Sequence, residues 1–101
     1  AVAAKPDDTT LHALVGLISA RMQDLPTAAS SFAEIVRLDP NNMEARQNYT
    51  LVLSDMQQYD RAVVEATALL QLAQQQQTTE QERGAIEALL NFLKQKAGLG
   101  G

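Results

Sequence analysis

Residues 9–42 read TTLHALVGLISARMQDLPTAASSFAEIVRLDPNN. The stretch holds two helical apolar patterns divided by Asp24-Leu25-Pro26 and closed by Asp39-Pro40-Asn41-Asn42. Leu11, Leu14, Val15, Ile18 and Met22 recur at the spacing of one helix face, which predicts a first helix over about 10–23 with Asp8 or Thr9 as its cap. Pro26 has a fixed φ and no donor, so it suits the first turn of a second helix running to about Leu38. The two helices make one unit.

The remaining breakers lie at Gln57-Gln58-Tyr59-Asp60 and at the run Gln74 to Gln77 followed by Thr78-Thr79. They divide the rest of the chain into a third helix from Met43 to about Met56, capped by Asn42, and a fourth from Asp60 into the glutamines. Thr79-Glu80-Gln81-Glu82 has capping-box spacing and opens a fifth helix to about Ala97, before the tail Gly98-Leu99-Gly100-Gly101. Nowhere does a two-residue alternation persist, so the chain is expected to be all-α with five helices.

Displacing the sequence by 34 residues superposes Leu17 on Leu51, Met22 on Met56, Gln23 on Gln57 and Ala28 on Ala62. Ile35 then falls on Leu69 and Leu38 on Leu72, while Pro6 falls on Pro40 and Asp7-Asp8 on Asn41-Asn42. Two helices per period is the mark of stacked helix pairs. The chain accordingly divides into the tail of a preceding unit (1–8), two units (9–42 and 43–76), a capping helix (77–97) and a flexible tail (98–101).

The first unit resembles the tetratricopeptide repeat, whose signature is Trp-x2-Leu-Gly-x2-Tyr, then Ala-x3-Phe, then Pro. His12, Val15, Gly16, Ser19, Ala28, Phe32 and Pro40 occupy those slots, so the small and packing positions match and the first two aromatics are replaced. In the second unit the slots hold Arg46, Tyr49, Thr50, Leu53, Ala62, Ala66 and Gln74, and the missing proline predicts a fourth helix longer by a turn. The resemblance covers about two-thirds of the chain and implies a right-handed α-solenoid of antiparallel helix hairpins. Packing supplies its own reason for the small residues: Gly16 facing Ala28 lets two helices cross closely, with Phe32 and Leu38 filling the wedge beside them.

Chemistry finds little material. The chain has 101 residues and no cysteine, so disulfides, thiol catalysis and thiolate zinc sites are excluded, and cytoplasm and bacterial periplasm are equally compatible. With 8 Lys plus Arg against 12 Asp plus Glu, the net charge of −4 has the wrong sign for a general nucleic-acid binder. No apolar run approaches a membrane span. His12 has no serine, cysteine or metal-ligand partner at an activating spacing, and no glycine-rich phosphate loop exists. Met22, Met43 and Met56 are expected to pack in the core. Neither an enzymatic activity nor a cofactor is expected.

Surface recognition remains. The resemblance implies an inner groove lined by the leading helix of each unit, with Ala13, Leu17, Ala20 and Arg21 from the first and Gln47, Leu51, Ser54 and Asp55 from the second. A protein or peptide segment would lie there, as in a scaffold, an assembly factor of bacterial type or a chaperone-like factor. One tetratricopeptide subclass holds a terminal carboxylate through lysine and asparagine; Ala13 and Leu17 cannot supply those bonds, so a largely neutral or apolar segment is expected. The alternative is a structural segment of a longer solenoid, self-associating through Leu11, Leu14 and Ile18, which no preceding helix covers.

Overall fold

A computed structural model describes residues 8–98. Five helices run in order: α1 (Asp8–Arg21), α2 (Leu25–Leu38), α3 (Met43–Asp55), α4 (Tyr59–Gln75) and α5 (Glu80–Lys96). No strand occurs among the described residues. The helix ends expected from the breakers lie within about two residues of those observed, the ordinary tolerance of helix boundaries. The fourth helix does extend into the glutamine run. The preceding-unit tail and most of the carboxy-terminal tail lie outside the described residues.

Local chemistry explains where the helices start. Asn42 caps α3 by accepting a hydrogen bond from the Ala45 amide at 3.0 Å, and Thr79 caps α5 by accepting one from Glu82 at 3.1 Å. Pro26 lies in the first turn of α2, where its lost donor would have had no partner.

Three of the helix ends share one device. Gln23, Gln57 and Gln77 adopt left-handed backbone, with φ of 61°, 61° and 55°. In each turn the following amide donates five residues back, Asp24 to Ser19, Gln58 to Leu53 and Thr78 to Ala73, at 2.8, 2.9 and 3.1 Å. These are Schellman turns that satisfy orphan carbonyls at a helix end. The first two recur 34 residues apart.

Each helix packs on the next in the chain, α1 on α2 through to α4 on α5. The thinnest dimension, 19 Å, is that of two helices side by side. The main core joins Phe32 and Ile35 of α2 to Tyr49, Val52 and Leu53 of α3, Ala62 and Ala66 of α4, and Leu90 and Leu93 of α5. A smaller cluster holds Leu69, Ala73 and Ile86. Thr50 is fully buried and its hydroxyl donates to the Arg46 carbonyl at 2.7 Å, so its burial leaves the hydroxyl bonded.

The ring of Phe32, 1% exposed, supplies the atoms nearest to a side chain placed on Gly16. Two packing expectations are corrected. Leu38 does not fill the wedge; it stands at the last residue of α2, 44% exposed, with no further turn to cover it. Met22 lies outside the core at 75% exposure, while Met43 and Met56 are half-buried. Met22 follows the last residue of α1 and projects beyond the end of the packed face.

Candidate partner-binding groove

Helix α1 meets the body through small residues. Gly16 and Ser19 are buried and His12, Ala13 and Ala20 are half-buried, whereas Leu17 and Arg21 are exposed. Ala13, Leu17 and Ala20 stand at i, i+4 and i+7 and therefore share one line along the helix. The residues at the two ends of that line each border a concavity whose other side belongs to α3. Ala13 lines a concavity with Glu44 and Asn48, and Ala20 lines another with Asp55 and Leu25. Leu17, 48% exposed, sits between them, and Leu51, 43% exposed, sits between Asn48 and Asp55 on α3.

The eight residues expected in the groove do not all look into one trough. Ala13, Ala20 and Asp55 border α1 and α3 together. Gln47 lies on the other flank of α3, in a concavity shared with Met43, Glu82, Ile86 and Leu89, so it faces α5. Ser54 is half-buried, and its carbonyl accepts from the Gln57 amide at 2.9 Å in the turn. Arg21 is exposed and makes none of the described ion pairs.

Sequence reasoning missed Glu44 and Asn48 on α3 and Glu82 and Leu89 on α5. A displacement of 35 would have found Asn48 from Ala13 and Asp55 from Ala20. Helix α5 buries Ile86, Leu90 and Leu93 and exposes Glu87, Asn91 and Gln95, as a polar-backed helix should. It also supplies a wall to the α3 concavity, and it exposes Phe92 with Lys96 Nζ 5.6 Å from the ring centroid.

The electrostatics are one-sided. Each of the three concavities carries one carboxylate, Glu44, Asp55 or Glu82, and no cation. The described ion pairs lie elsewhere: Arg37 with Glu34 at 2.7 Å on α2, and Arg46 with Glu65 at 2.9 Å between α3 and α4. The Arg37 hydrogen bond holds the Glu34 carboxyl below the usual carboxylate range and raises Arg37 in turn.

Among the described residues, no three His, Asp or Glu side chains gather as a metal would require. None of the helices is long and apolar enough to cross a membrane. A further concavity lies between Gln57–Arg61 and the end of α5, where Arg61 donates to the Tyr49 hydroxyl at 3.2 Å. No family model and no curated protein matches this chain.

Proposed function

We propose that the chain is a non-catalytic protein-interaction module of tetratricopeptide type, in which two helix hairpins, 9–42 and 43–76, nest as a short right-handed α-solenoid closed by the helix in 77–97. The repeat rests on the equal turns at Gln23 and Gln57, which have the same φ and the same hydrogen bonds one period apart. Function rests on one observation. Leu17 and Leu51, equivalent in the repeat, are large, apolar and exposed, and helical spacing sets each beside residues that border the concavities between α1 and α3. A helix surface that only meets water has no need of them.

The occupant is a short peptide or helical segment of another protein, whose aliphatic side chains cover the two leucines. Glu44 and Asp55 favour lysine or arginine at its margins, which amends the neutral segment expected from sequence. Such a module serves assembly, scaffolding or chaperone-like holding and uses no cofactor.

Peptide display against the 101-residue chain tests this. Selected peptides should be apolar with basic flanks, and the Leu17→Asp, Leu51→Asp double variant should bind them at least about tenfold more weakly, since truncating central anchors costs more than about 1.4 kcal/mol. Its helical circular dichroism should persist because both residues are exposed. Peptides that bind the double variant equally well would refute the groove.

A further inference from the structure

Among the described residues, six of the ten exposed large hydrophobic side chains belong to the short stretch Leu11–Met22, at 46 to 75% exposure. Scattered surface aliphatics are ordinary; a contiguous stripe of them is not. Leu11, Leu14, Val15, Ile18 and Met22 fall within about 100° of helical arc at 100° per residue, and no charged residue interrupts them. The stripe lies opposite the face formed by Ala13, Gly16, Ser19 and Ala20, through which α1 meets the rest of the chain. It is therefore distinct from the groove flank that Leu17 occupies.

We infer that this stripe is a self-association surface: α1 pairs with α1 of a second copy in antiparallel register about a two-fold axis.

A second copy fits on area and on register. Burying the stripe on two copies removes on the order of 1,000 Å² in total, the floor for a specific interface, so the dimer is weak and reversible. Leu11 and Met22, and likewise Val15 and Ile18, stand symmetrically about the midpoint between Gly16 and Leu17. In antiparallel pairing Leu11 then meets Met22 of the other copy and Val15 meets Ile18, the isologous match that a two-fold axis demands. A parallel pair would set the two Arg21 side chains, which flank the stripe, side by side, and would align the helix dipoles. Each copy carries a net charge of −4 and the seam is uncharged, so added salt should tighten association rather than loosen it.

Sedimentation equilibrium of the full 101-residue chain from micromolar to millimolar concentration tests the inference. The mass should climb from one chain to two and climb earlier in high salt. Ile18→Glu should remain a single chain throughout with unchanged helical circular dichroism, because the position is exposed. The Leu17→Asp, Leu51→Asp variant, impaired in the groove, should dimerise as the parent does, which separates this surface from the peptide-binding proposal. A single chain at millimolar concentration, or a dimer that Ile18→Glu leaves intact, overturns the proposal. Spin labels on Met22→Cys should lie about 16 Å apart along the paired helices, and a separation under about 10 Å overturns the antiparallel register.

Discussion

Gly16 and Phe32 meet where α1 crosses α2: a Cβ placed on Gly16 would stand 2.8 Å from Phe32 Cζ and 3.0 Å from both ring Cε atoms. The ring is 1% exposed and packed in the main core, so moving it disturbs other contacts. Alanine at Gly16 would gain about 1 kcal/mol of helix propensity, yet the overlap outweighs it. Gly16→Ala should lower the melting midpoint, and Gly16→Leu should destabilise by about 1–3 kcal/mol. Pairing Gly16→Ala with Phe32→Leu should lose less than the two single changes combined, because the smaller side chain frees the crossing. Strict additivity in urea unfolding would contradict the contact.

The glutamines at the helix ends give a prediction of opposite sign. A non-glycine residue in left-handed backbone costs about 1–2 kcal/mol; glycine relieves that strain but loses about 0.5–1 kcal/mol to the greater freedom of the unfolded chain. Gln23→Gly, Gln57→Gly and Gln77→Gly should therefore each stabilise by about 0.5–1 kcal/mol. The sites lie in separate turns, so the gains should add. Thermal unfolding of the triple variant checks this, and a midpoint at or below the parent's would show that the turns relax when the side chain is gone.

Much of this architecture was legible from punctuation. Pro26, Asn42 and Thr79 mark helix starts by mechanism, and each stands within a residue of where its chemistry puts it. The ends were harder to read, since Gln23 and Gln57 occupy the place where glycine would have signalled a turn. The closeness of Phe32 to Gly16 was not legible, because Ala28 and Phe32 stand four residues apart on one face of α2 and helical spacing alone cannot rank them. Met22 and Leu38 are apolar in type but end their helices, so no further turn covers them. The groove was half legible: the period of 34 gives equivalent residues, whereas the concavities join residues 35 apart, which moves the contact of Ala13 from Gln47 to Asn48.

Arg46 supplies the last prediction. Its guanidinium bridges α3 to α4 through Glu65 Oε1 at 2.9 Å and reaches back to the Pro40 carbonyl at 3.2 Å, so three segments converge on one side chain. The two side chains are only 13% and 16% exposed, and Arg46 Nε is buried without a partner. Removing the acid alone strands a desolvated cation, so Glu65→Ala should destabilise by about 1–3 kcal/mol. Replacing both partners by apolar residues of similar volume, Arg46→Met with Glu65→Leu, should recover most of that loss, since a buried pair and a packed aliphatic contact are of comparable worth. Urea unfolding of the two single variants and the double variant reads the coupling. If Glu65→Ala unfolds at the parent's midpoint, the bridge is no more than a solvated surface pair.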